Sequence, residues 1–144
     1  MTPKIIYMTN IDRRYFMMRR ALDELIADGE MSASSQVVKT EGGSVWSASW
    51  EEKLRGSALV MIRFMGNTIR TKFWTACMHF LSREGIPYYM DAAGSAEEEC
   101  VERVAAKDIE AMKAYSFYGG LTNYKNLWLY ARSLFDQGAP NAEP

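Results

Sequence analysis

Residues 63–70, RFMGNTIR, combine the residue types that hold a small anion. Gly66 frees the backbone for close approach, Asn67 and Thr68 supply short polar side chains, and Thr68 can cap the helix that follows. Arg63 and Arg70 flank the positive end of that helix, where phosphate, sulfate or carboxylate is favoured. The same residues also make an ordinary strand-to-helix turn, with a capping threonine and solvated arginines.

Other reactive types are scattered. His79 is the single histidine and has no second histidine or carboxylate at metal-ligand spacing. Glu97, Glu98 and Glu99 are consecutive, so on a helix they point around the axis, and acids in a first turn suit the dipole without any metal. Cys77 and Cys100 are too far apart for a zinc cluster and read as buried thiols. Trp46, Trp50, Trp74, Met78 and Trp128 read as packing and interface side chains.

These residues hang on alternating elements. KIIYM (residues 4–8) is a β-rich run stopping at Thr9 and Asn10, whose oxygens can cap the next helix. From Asp12, Tyr15, Met18, Leu22 and Leu25 recur at spacings of three and four, and Gly29 supplies a left-handed stop. Residues 36–40 predict a second strand, and Ser49 with Glu52 has the spacing of a capping box before a short helix ending near Gly56. SALVMIRF (residues 57–64) is the most uniformly apolar run and predicts a central parallel strand buried on both faces.

A helix through Glu84 follows, with Phe73, Cys77, Phe80 and Leu81 inward and Gly85 closing it, and IPYYM (residues 86–90) gives a fourth strand. Ser95 and Glu98 have capping-box spacing ahead of helical material reaching Tyr118, and a last helix covers residues 122–135. Strands alternating with helices predict an α/β, flavodoxin-like or Rossmann-like three-layer sandwich with a mainly parallel sheet of four or more strands.

Ligands in such sheets sit beyond the carboxyl ends of the strands, and the first strand pairs with the third at the switch point. That places Asn10, Asp12, Arg63, Gly66, Asn67 and Thr68 on one rim. The loop after the first strand lacks a G-x-G-x-x-G turn, which argues against dinucleotides and flavins. Asp12 stands alone and the third strand ends in Arg63, which argues against a phospho-receiver.

With 144 residues, of which 48% are hydrophobic, the chain suits one domain, expected over residues 1–136, with 137–144 as a linker or loose tail. Seventeen basic against 18 acidic residues make no basic field for nucleic acid. No apolar run approaches the roughly 20 residues of a membrane span, and the first residues do not read as a signal peptide, so a cytoplasmic protein without membrane or nucleic-acid partners is expected.

One element remains. Tyr115, Tyr118, Gly119 and Gly120, then Asn123, Asn126 and Leu127 ahead of an apolar helix, form a particular combination. Two glycines can reverse the chain at positive φ and Asn123 can cap the next helix, although a generic helix-turn-helix connection uses the same chemistry. The combination resembles the segment closing the N-terminal domain of large subunits of cobaltochelatases and related magnesium chelatases. The order of the Arg63 and Gly66 strand end, the Trp-bearing helix and GIPYYMDAAG (residues 85–94) is similar to that family as well.

The resemblance implies an N-terminal fragment of a much larger subunit, contributing to cobalt insertion into a corrin-ring precursor in cobalamin biosynthesis. Its implied partners are the remainder of the large subunit, AAA+ ATPase subunits and a tetrapyrrole substrate. Cobalt and ATP are implied for the complete ligase-class enzyme, no cofactor is expected on the fragment, and no catalytic or metal-ligating residue is carried over. The other reading open at this point is a free-standing flavodoxin-like domain binding a small anion on the rim.

Overall fold

The computed structural model describes residues 3–41, 44–63, 72–90 and 120–136. Strands β1 (Ile5–Thr9), β2 (Gln36–Lys39), β3 (Leu59–Arg63) and β4 (Tyr88–Met90) alternate with helices α1 (Asp12–Ala27), α2 (Ala48–Leu54) and α3 (Lys72–Arg83), and α4 (Leu121–Asp136) follows. The sheet has the order β2-β1-β3-β4, and all three pairings are parallel. This is the predicted α/β sandwich, with β1 and β3 adjacent at the switch point.

Alternation along the strands builds two cores. Ile5, Tyr7, Leu59 and Met61 face α1 and α4, meeting Met18, Leu22, Leu25, Leu127 and Trp128. Ile6, Met8, Val60 and Ile62 face the other way, onto Leu54 of α2 and Phe73, Cys77, Phe80 and Leu81 of α3. Every residue of β1 is buried, because helices cover both faces. Burying each of these large apolar side chains contributes about 1.5–3 kcal/mol.

Two of the helix stops follow directly from glycine. After α1, Gly29 has φ +76, its N–H donates to the Ile26 carbonyl and that of Glu30 to the Leu25 carbonyl. After α3, Gly85 has φ +69, and the N–H groups of Gly85 and Ile86 bond the carbonyls of Ser82 and Leu81 in the same pattern. Both are Schellman endings, in which the left-handed residue turns the chain while satisfying the last carbonyls.

Several helix starts differ from expectation. Helix α2 begins at Ala48 with Ser47 as its N-cap, so Ser49 lies inside the helix and forms no capping box with Glu52. The N-cap of α1 is Ile11, without a side-chain cap; instead the Ile11 N–H donates to Thr9 Oγ1 at 3.1 Å. Strand ends fix where each chain emerges, and backbone direction then outweighs a local capping preference.

The expected glycine pivot also changes. Gly120 does not have positive φ; its carbonyl accepts the Tyr124 N–H at 3.1 Å, which makes it the N-cap of α4. Since the helix starts at Leu121, Asn123 lies within its first turn and is not the cap. Tyr115, Tyr118 and Gly119, the helix expected up to Tyr118, Glu97, Glu98, Glu99 and Cys100, and the tail at 137–144 lie outside the described residues.

Candidate functional site

The carboxyl edge of the sheet is built from the ends of β1, β2 and β3. The β1–β3 register sets Thr9 against Arg63, the last residue of β3, and Asn10 follows one residue beyond. Thr9 is fully buried and anchors the edge: its carbonyl accepts the Thr40 N–H at 3.0 Å, and its hydroxyl accepts the Ile11 N–H. Backbone pairing therefore fixes both chain exits from which Asn10 and Arg63 project. Both are partly buried. Gly66, Asn67 and Thr68 lie outside the described residues.

Charge on this edge is organised by a contact far apart in sequence. Lys39 Nζ at the end of β2 lies 2.5 Å from Asp12 Oδ1 at the start of α1 and 3.6 Å from Glu41 Oε2. It also sits 5.9 Å from the centre of the Tyr15 ring. The hydrogen bond to Asp12, ahead of the burial that opposes it, raises the Lys39 pKa above its ordinary value. Asp12 thus spends its charge on Lys39 and presents less repulsion to an anion approaching Asn10 and Arg63. No sequence spacing signals this pair, because strand order alone brings it together.

On the α2–α3 side, Trp46 and Trp50 stack with centroids 6.4 Å apart and rings inclined by 15°. Phe73 meets both edge-on, and Trp46 Nε1 donates to Glu51 Oε2 at 3.0 Å. A shallow depression of about 520 Å³ lies beside β2, lined by Gln36, Ala48, Ser49, Glu52 and Lys53. Its lining presents one carboxylate and one ammonium at an open surface. The aromatic cluster is the packing arrangement expected of these side chains.

Among the described residues, no group of three or more His, Cys, Asp or Glu could hold a metal ion. His79 is exposed on α3. Cys77 is buried, and burial pushes its thiol up to about 12, so it stays protonated and unreactive at neutral pH. No helix among the described residues is long and apolar enough to cross a membrane.

Helix α4 begins directly after Gly120. Tyr124, Leu127, Trp128 and Ala131 form its buried stripe against α1, while Asn126 is exposed and Asn123 partly so. Lys125 Nζ reaches Glu24 Oε1 at 2.6 Å, and Arg132 bonds Glu30, tying α4 to the C-terminal part of α1 and to the turn that follows it. An apolar helix over residues 122–135 is legible in sequence; its buried stripe and ion pairs emerge only from the packing against α1.

No protein-family profile and no curated protein matches the chain in sequence. Among solved structures, the fold is similar to the catalytic subunit of cobaltochelatase from Mycobacterium tuberculosis, with a TM-score of 0.63 and 15% identity. The likeness covers 94% of this chain and 10% of that subunit. The chain therefore spans about a tenth of the protein it is similar to, and at this identity the likeness concerns the fold.

Proposed function

We propose that this chain acts as an N-terminal domain of a cobaltochelatase-type large subunit, helping to assemble the enzyme or cover its substrate during cobalt insertion into a corrin-ring precursor. The observation that carries this reading is the extent of the fold likeness: almost the whole chain corresponds to a tenth of a far larger catalytic subunit. The element Gly120, Asn123, Asn126 and Leu127, with Tyr118 and Gly119 before it, supports the same reading. Its partners on this reading are the remainder of the large subunit and the ATP-hydrolysing subunits, in the cytoplasm. Cobalt is cargo of the complete enzyme.

The site residues fit a supporting role. Asn10 offers amide donors and Arg63 a guanidinium to a carboxylate on the rim of a tetrapyrrole, and Lys39 pairs with Asp12, the acid two residues after Asn10. On this reading Gly66, Asn67 and Thr68 complete the rim. The chain alone then hydrolyses no ATP and inserts no cobalt.

Titration of the chain with an acidic tetrapyrrole, followed through backbone amide shifts by NMR, tests the rim. Shifts at Asn10, Ile11 and Arg63, lost in Arg63→Ala, are expected; shifts confined to α4 would sink it. Sulfate in place of the tetrapyrrole separates the second reading, a free-standing anion-binding domain, which the pairing of Thr9 with Arg63 at the switch point favours. Equal response to both ligands supports the free-standing domain, and response to the tetrapyrrole alone supports the chelatase.

A further inference from the structure

The solvent face of α1 sets an exposed aromatic ring among charges, of which Arg20 also meets Glu24 one turn on at 3.5 Å and Glu30 meets Arg132 of α4. Phe16 is 63% exposed, at the centre of that face, with Arg13, Arg19 and Arg20 around it at helical neighbour spacing and all exposed. Farther along the same face come Asp23 and Ala27, then Asp28 and Glu30 beyond the helix end, also exposed. Asp23 has no ion-pair partner among the described residues.

This order of charge opposes the helix. Arginines crowd the half nearest the positive N-terminus, acids crowd the negative C-terminus, and the last turn carries no basic residue. Asp12 is the single acid in the first turn, and it is engaged by Lys39. Local helix energetics select the reverse arrangement, and an aromatic ring held in water adds nothing to the core.

The pattern is self-complementary when the helix meets an inverted copy of itself. With a two-fold axis crossing α1 level with Ala21 and Leu22, Arg20 of each copy falls opposite Asp23 of the other. Phe16 then lies over Ala27, a small residue that leaves room for the ring, and Arg13 falls opposite the Gly29–Glu30 turn. These pairings lie on the exposed face, so they form without disturbing Met18, Leu22 or Leu25 underneath. We propose that two copies of this chain associate through their α1 helices, antiparallel about a two-fold axis, with Phe16 as the apolar anchor and Arg20–Asp23 as the reciprocal ion pair.

A pair of single-helix faces is a small contact, so the dimer is weak and sensitive to salt. Sedimentation velocity of the full 144-residue chain over a concentration series at low salt reads it directly. A reversible monomer–dimer equilibrium is expected. Arg20→Asp or Asp23→Arg alone should weaken association by about tenfold or more, by setting like charges opposite one another. The double variant R20D/D23R should restore it, and Phe16→Ser should weaken it with no change in the circular dichroism spectrum. A chain that stays monomeric throughout, or a dimer indifferent to both single swaps, overturns the pairing and leaves this face to an acidic partner other than itself.

Discussion

The indole Nε1 of Trp128 on α4 donates to the main-chain carbonyl of Met18 on α1 at 3.0 Å, in a fully buried setting. The carbonyl belongs to a helix and already serves the backbone ladder, so its second lone pair fixes the height of one helix against the other. The Tyr7 ring lies 6.4 Å away, which ties the same indole to the first strand.

Replacing Trp128 with Phe keeps an aromatic ring but removes the donor and part of the volume. A loss of roughly 1–3 kcal/mol is expected, rising to about 3–5 kcal/mol for Trp128→Ala. Urea denaturation followed by circular dichroism measures both. Equal stability of wild type and Trp128→Phe would mean that the hydrogen bond contributes nothing net.

Glycines 85 and 120 should respond in opposite ways. Gly85 holds φ +69 with open space where a Cβ would stand, so Gly85→Ala meets backbone strain alone, about 1–2 kcal/mol. Gly120, as N-cap without positive φ, gains a side-chain acceptor in Gly120→Ser, which should leave stability unchanged or raise it by a few tenths of a kcal/mol, roughly. Thermal melts of the two variants decide the matter. A large loss at Gly120 would restore the pivot expected from sequence.

Acid sensitivity should report the α1–α4 clamp. The hydrogen bond from Lys125 holds the Glu24 carboxyl below its ordinary value of 4.5 despite opposing desolvation. The clamp's stabilisation is then complete above that value and fades as pH falls through the lower folded-state pKa. Lys125→Met should flatten this acid limb in a stability-against-pH series. An unchanged slope would show that the pair is too well solvated to matter.

Cys77 gives the opposite limb. Its thiol moves from an ordinary 9.0 to about 12 through burial, so the folded state favours the protonated form. Stability is unaffected below 9.0 and declines as pH rises from there towards 12. In a Cys100→Ser background, Cys77 should resist a disulfide reagent at pH about 8 and react once urea unfolds the chain. Rapid labelling of the native protein would contradict its burial.

The elements that were legible in sequence are those set by periodicity. The runs at β1 and β3, the inward positions Phe73, Cys77, Phe80 and Leu81, and the stops at Gly29 and Gly85 follow from repeats of two and 3.6 and from glycine's tolerance of positive φ. Caps were misplaced at Thr9, Ser49 and Asn123, because a polar residue near a helix start is compatible with several start points a residue or two apart. Only the exit angle of the preceding chain chooses among them. On the rim, parallel order put Asn10 near Arg63, but the neutralising Asp12–Lys39 contact depends on which strand lies beside β1.

The stacked Trp46 and Trp50 pair lies in one helical layer, and buried Trp128 in the other. Near-parallel indoles at this separation couple their electronic transitions, whereas an isolated, water-shielded indole reports through blue-shifted emission. Exciton circular dichroism therefore reads the α2–α3 layer, and fluorescence, in a variant with the other tryptophans replaced by phenylalanine, reads the α1–α4 layer. Divergence of the two optical signals during denaturation would resolve the order in which the layers part from the sheet.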